Sequence, residues 1–186
     1  MIGKINMSKE QRISALKSYL GEYYEDNINS KVIADQIKSD IFDPKRYAIG
    51  YQVNDPSLFK QIIRVAILCS SFLNGEFRYI RYKVCDAYID IVEKHFRNFN
   101  DDSNPEDSRI IGSLTIPELV IIYSPENSIK NKSIWPTCLS IAESRSLKSK
   151  KTVFITFKSE PDIDKKIEFI GMPSQISKRP KIPDIL

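Results

Sequence analysis

The chain has 186 residues, 41% of them hydrophobic, which suits one domain with a real core and excludes a disordered polypeptide. Its 28 Lys and Arg against 24 Asp and Glu leave a formal charge of +4, a mildly basic balance that permits an acidic partner such as DNA without demanding one. The chain opens with a capping-box pattern, Ser8 and Gln11 three apart, and Ile13, Leu16, Leu20 and Tyr23 follow at helical spacing. A second short helix is predicted over SKVIADQIKSDI, with Val32, Ile33, Gln36 and Ile37 near one face. Residues 1–44 therefore read as an N-terminal helical extension.

Residues 45–171 carry a different pattern. RYAIGYQV (46–53) reads as a strand, NDPS as a turn, and LFKQIIRVAILCSSFL (58–73) as an apolar helix stopped by Asn74-Gly75. FRYIRYK (77–83) reads as an alternating strand, and VCDAYIDIVEKHFRNF (84–99) as an amphipathic helix, before the polar loop NDDSNPEDS. ELVIIY (118–123) is a buried strand, SIWPTCLSIAESRSLK (133–148) a helix with Pro136 in its first turn, and KKTVFITFK (150–158) another buried strand. This alternation predicts an α/β fold, a mostly parallel sheet with helices on both faces. SEPDIDKKIEFIG is expected to add a short helix or edge strand, and residues 172–186, rich in Pro, an extended tail.

The scattered cysteines, Cys69, Cys85 and Cys138, support neither a disulfide framework nor a zinc motif, and are expected to pack as small apolar residues in a reducing compartment. No apolar run approaches the ~20 residues of a membrane span. MIGKINMSKEQR lacks the apolar core of a signal peptide, so the expected location is cytoplasmic. His95 is the one histidine, which rules out His-pair metal sites. DDSNPED lacks the glycine and final glutamate of a calcium loop.

Phosphate is usually held at the first strand-to-helix turn of such a sheet. A phosphate-binding loop of the form G-x-x-x-x-G-K-[ST] needs glycines so that backbone N–H groups can close around the anion. In the window NDPSLFKQ (54–61), Lys60 falls at the lysine position, but Asn54 and Phe59 replace both glycines and Gln61 replaces the magnesium-binding hydroxyl. Pro56 removes a donor, and Asp55 adds negative charge. The expectation is a tight turn with Phe59 packed inward, no nucleotide bound, and the following helix docked through Ile62, Val65 and Ala66. The strand ELVIIY ends in Tyr123 and Ser124 where an acidic pair would hold magnesium; Glu126 reads as a solvated loop residue rather than a displaced carboxylate. TVFITFK ends in Thr156, Phe157 and Lys158, and a strand-end lysine needs no function.

Over roughly residues 45–160 the order of segments resembles the helicase-loader branch of the AAA+ ATPases: bacterial replicative helicase loaders and the ATP-binding subunits of insertion-sequence transposition. KQIIRVAILCSSFLNGE resembles the helix after that family's phosphate loop, and FRYIRYKVCDAYIDIV its second strand and helix. PELVIIYSPEN takes the place of the Walker B strand, and SIAESRSLKSKKTVFITFK resembles a helix with a terminal arginine, matched by Arg145, followed by the sensor-1 strand. The resemblance implies a P-loop-NTPase-like sheet flanked by helices. Both Walker A glycines, the hydroxyl residue, the Walker B acids and the sensor asparagine are all replaced, and the stretch stops where the family's helical lid would begin. The resemblance with these departures implies a non-catalytic, cofactor-free pseudo-ATPase. It would act by contact in DNA replication with a replicative helicase, a helicase loader or an AAA+ subunit, in the manner of a phage or mobile-element adaptor.

Two alternatives stand beside it. A nucleic-acid-binding module would use the cations of FRYIRYK (Arg78, Arg81, Lys83) and of SLKSKK (Lys148, Lys150, Lys151) with interleaved aromatics, although strict alternation would split FRYIRYK between two faces. An atypical ATPase would use Lys60, Glu126 and Lys158.

Overall fold

The structure, a computed structural model, describes residues 8–24, 31–53, 57–73, 76–87, 90, 113–124, 134–157 and 169–171. Helix α1 (Lys9–Leu20) starts on the capping box the sequence encodes: Gln11 N donates to Ser8 Oγ at 3.2 Å and Ser8 N donates to Gln11 Oε1 at 2.8 Å. It stops at Gly21, whose φ of +54° is open to a residue without Cβ, and a 3₁₀ turn follows over Gly21–Tyr23. Helix α2 (Lys31–Phe42) buries Ile33, Ile37 and Ile41, an i, i+4, i+8 stripe.

Strand β1 (Ala48–Val53) leads into helix α3 (Ser57–Ser71). Leu58, Ile62, Ile63, Val65, Ala66 and Ile67 of α3 are buried, so the helix docks on the sheet through the residues the sequence nominates and several more. Strands β2 (Phe72–Leu73) and β3 (Glu76–Phe77) form a small antiparallel hairpin at the end of α3. Strand β4 runs from Tyr82 to Asp86, β5 from Leu119 to Ser124, helix α4 from Ile134 to Ser146, β6 from Lys151 to Phe157 and β7 from Phe169 to Gly171.

The main sheet has the order β4-β5-β6-β1-β7, and every pairing in it is parallel. A parallel sheet covered on both faces needs apolar residues at successive positions, and Leu119, Val120, Ile121 and Ile122 are all buried. Alternation divides them. Ile49, Tyr51, Val53, Leu119, Ile121, Val153 and Ile155 share one core with α2 and α3; Val120, Ile122, Phe154 and Cys85 share the other with Cys138, Ile141 and Ala142 of α4. Leu20, Ile33, Ile37 and Ile41 belong to the first of these cores, so α2 and the end of α1 form a layer of the same body. Asp40 of α2, 4% exposed, is offset by three donors at 3.1 Å each: Tyr51 Oη, Gln36 Nε2 and Arg46 Nη1.

One predicted element is placed differently. FRYIRYK is not a single strand: Phe77 belongs to the hairpin, residues 78–81 are irregular, and the sheet strand is the five residues from Tyr82 to Asp86. Val84, Cys85 and Asp86, read from the sequence as the start of a helix, pair with Ile121, Ile122 and Tyr123. Their apolar character serves either period, and the partner strand decides. Most of the helix expected over 84–99, the loop that follows it and the tail at 172–186 lie outside the described residues.

Candidate functional site

In open parallel α/β sheets, ligands bind beyond the C-terminal ends of the strands. Here that edge is made by Val53, Asp86, Tyr123, Ser124 and Thr156. Phe59 lies in the first turn of α3, on the same stripe as Ile62, Ile63 and Ala66 at i+3, i+4 and i+7, so it faces the sheet. Tyr123 is an odd-numbered residue of β5 and projects from the same sheet face as Leu119 and Ile121. The two rings meet edge to face, with centroids 4.8 Å apart and planes at 62°. Burial raises the Tyr123 hydroxyl above its ordinary range, and the negative charges of Asp86 and Asp90 raise it further. Lys60, one step round the helix, is exposed. Gln61 is buried to 1% exposure.

On the other sheet face, Ser124 and Thr156 are register neighbours, each 1% exposed. Thr156 Oγ1 has no hydrogen-bond partner among the described residues. The carboxylates of this edge come from an unexpected place. Asp86, 6% exposed, ends β4 directly beside Tyr123, and its backbone N donates to Asp90 Oδ2 at 2.9 Å. Sequence reasoning missed both because it put them inside a helix; the apolar pair Val84-Cys85 before Asp86 was the available signal. Among the described residues no group of His, Cys, Asp and Glu converges as a metal site would require. Asn54, Asp55, Pro56, Glu126 and Lys158 lie outside the described residues.

The basic residues sit at the opposite, N-terminal edge. Arg145, at the end of α4, is fully buried, and all five of its N–H directions are used. Nε donates to Thr152 Oγ1 at 2.9 Å, Nη1 to the carbonyls of Leu114 (2.6 Å) and Pro117 (3.0 Å), and Nη2 to those of Glu118 (3.2 Å) and Lys151 (2.7 Å). Burial pushes its guanidinium down to about 10, still charged at neutral pH. Lys150 Nζ donates to the carbonyls of Thr115 and Ile116 at 2.7 Å each. Lys151 Nζ donates to those of Asp43 and Arg46 and lies over the Tyr47 ring. Both ammonium groups thus brace the start of β6; Lys151 in particular is turned inward rather than offered to a ligand. Lys148, Arg78 and Lys83 are exposed, and Arg81 pairs with Glu118 at 3.4 Å. Burial and then the charge of Arg145 lower the Lys150 ammonium, Glu118 opposes them, and Lys148 and Arg81 add smaller effects, so cations and a carboxylate share this region.

A scan against protein-family models finds no family that matches the chain, and a search of curated proteins finds no relative.

Proposed function

We propose that this chain is a non-catalytic AAA+-like domain, a pseudo-ATPase that works by protein–protein contact in DNA replication, with a replicative helicase, a helicase loader or an AAA+ subunit as its partner. One observation carries the loss of catalysis. Phe59 stands where the second glycine of a phosphate loop would be, Tyr123 stands where a Walker B acid would be, and the two rings fill the space between them at 4.8 Å. A phosphate and its magnesium would need that space, together with backbone N–H groups around it. The all-parallel sheet, with α3 following β1 and the β5 and β6 tips beside it, is consistent with the architecture the resemblance implies. The replication partner follows from the resemblance alone.

The test is direct. A ligand that does not bind cannot shift stability, so thermal melts with and without Mg-ATP should coincide. A clear upward shift with Mg-ATP, lost on Lys60→Ala, would replace this reading with the atypical ATPase. Affinity capture with the full chain should recover a helicase, a loader or another AAA+ protein; reproducible recovery of unrelated proteins instead would remove the replication role.

A further inference from the structure

Helix α3 runs from the C-terminal edge of the sheet back to the N-terminal edge, and the β2–β3 hairpin caps its far end. A cluster of aromatic rings is built there. Tyr19 of α1 is its hub: its ring meets Phe77 at 6.2 Å, Tyr79 at 4.9 Å and Tyr82 at 5.5 Å, each nearly perpendicular. Phe72 meets Phe77 at 5.4 Å, and Phe77 meets Tyr79 at 5.3 Å. The Tyr19 hydroxyl lies 3.0 Å from Ser71 Oγ, donates to the Ile80 carbonyl at 3.1 Å and stands 3.2 Å from Ile80 N. Tyr82 Oη donates to the Tyr19 carbonyl at 2.7 Å, and Arg78 N donates to the Ser71 carbonyl at 2.8 Å. Polar contacts thus fix Tyr19 and Tyr82, and the outer rings rest edge to face on Tyr19 and on one another, with Tyr79 60% exposed, Phe72 43% and Phe77 37%.

Cations run through the same segment. Arg78, Arg81 and Lys83 are exposed, with Glu76 in the same segment and Glu118 facing Arg81 at 3.4 Å. Lys148 is exposed in the turn before β6, while Lys150 Nζ is held by the carbonyls of Thr115 and Ile116. We propose that this surface, Phe72, Phe77 and Tyr79 with Arg78, Arg81 and Lys83, binds single-stranded nucleic acid. Unpaired bases stack on exposed rings whatever their sequence, and Lys and Arg neutralise the phosphates between them. Rings braced against a hydrogen-bonded Tyr19 lower the ordering cost of binding. The charge argues against other occupants. The centre of a protein–protein contact is depleted of charge, whereas here the cations alternate with the rings. A second copy of the chain would bring like charges together across a two-fold axis. Duplex DNA keeps its bases stacked and out of reach of protruding rings. This surface lies at the opposite end of α3 from Phe59 and Tyr123, so its function is independent of any nucleotide chemistry there.

Fluorescence anisotropy of the full chain with labelled oligo-dT and oligo-rU of about 20 nucleotides, and with a duplex of equal length, tests this over about 50 to 200 mM salt. The single strands should bind with affinity that falls as salt rises, and the duplex should bind markedly more weakly; the dT and rU arms report which sugar is preferred. Tyr79→Ala should weaken binding on the order of tenfold, while Tyr79→Phe retains it. Arg78→Ala should lower the slope of log affinity on log salt by about one. A thermal melt of each variant controls for folding. No binding at low salt, equal affinity for the duplex, wild-type affinity in Tyr79→Ala, or displacement by polyglutamate as readily as by oligo-dT would each overturn the proposal; the last would mark an acidic protein as the partner. Because the readout contains no Mg-ATP, failure here would leave the melts that test the pseudo-ATPase reading unaffected.

Discussion

Phe59 and Tyr123 stand in edge-to-face contact at 4.8 Å, one from the first turn of α3 and one from the tip of β5. The contact packs the start of α3 against the tip of β5, each ring covering part of the other. Pairs of this kind contribute about 0.5–1.5 kcal/mol beyond area burial. The first prediction is a double-mutant cycle in urea: Phe59→Ala and Tyr123→Ala should each destabilise the fold, and their effects should be coupled by about that amount. Strictly additive losses would mean that the rings are neighbours without an interlock.

Arg145 is predicted to be the costliest single polar position at the N-terminal edge. Its guanidinium gathers the carbonyls of the 114–118 segment and of Lys151, so it ties the entry of β5 to the entry of β6. Arg145→Met would strand buried carbonyl acceptors, at about 1–3 kcal/mol for each one left unsatisfied. Arg145→Lys should recover only part of this, since an ammonium cannot present five donors in a plane. Urea midpoints near the wild-type value for both variants would refute the role.

Lys151 and Arg78 should separate stability from binding. Lys151 Nζ is held by carbonyls of the turn that precedes β1, so Lys151→Met should lower the melting temperature and leave oligonucleotide affinity close to wild type. Arg78→Ala should do the reverse, since its side chain is exposed. A Lys151→Met variant that kept its stability but lost nucleic-acid affinity would reassign this lysine to the binding surface.

The buried thiol of Cys138 predicts a loss of stability in alkali. Burial pushes it up to about 12 from an ordinary 9.0, with the neighbouring Cys85 adding to the shift. Its contribution is therefore complete below pH 9.0, where the thiol is neutral folded and unfolded. It declines above that as the unfolded chain ionises, and is gone by the time the folded thiol ionises near pH 12. Cys138→Ala should show a shallower decline over that window than wild type, measured by urea unfolding at a series of pH values. Identical slopes would show that another group governs the alkaline limb.

Much of the scaffold is local information. Ser8 and Gln11 cap α1 by short-range hydrogen bonds that need no partner elsewhere. The apolar runs Leu119–Ile122 and Val153–Ile155 are too continuous for a half-exposed strand, so a covered parallel sheet follows from them directly. That the window from Asn54 to Gln61 holds no glycine is likewise visible in the sequence.

Other outcomes depend on residues distant in the chain, and only the tertiary structure decides them. VCD is a strand because Leu119–Tyr123 offers it a ladder, although its apolar pair fits a helix equally well. Phe72 and Leu73 leave α3 because Glu76 and Phe77 fold back to pair with them. Lys151 looks like its neighbour Lys148 in the sequence, yet it is drawn inward by carbonyls at Asp43 and Arg46. Tyr79 looks like a core aromatic of an alternating strand, yet it stands 60% exposed because residues 78–81 never join the sheet. Pattern sets which residues seek burial or hydrogen bonds, a matter of side-chain chemistry and period; which distant group meets that demand is decided when the elements pack.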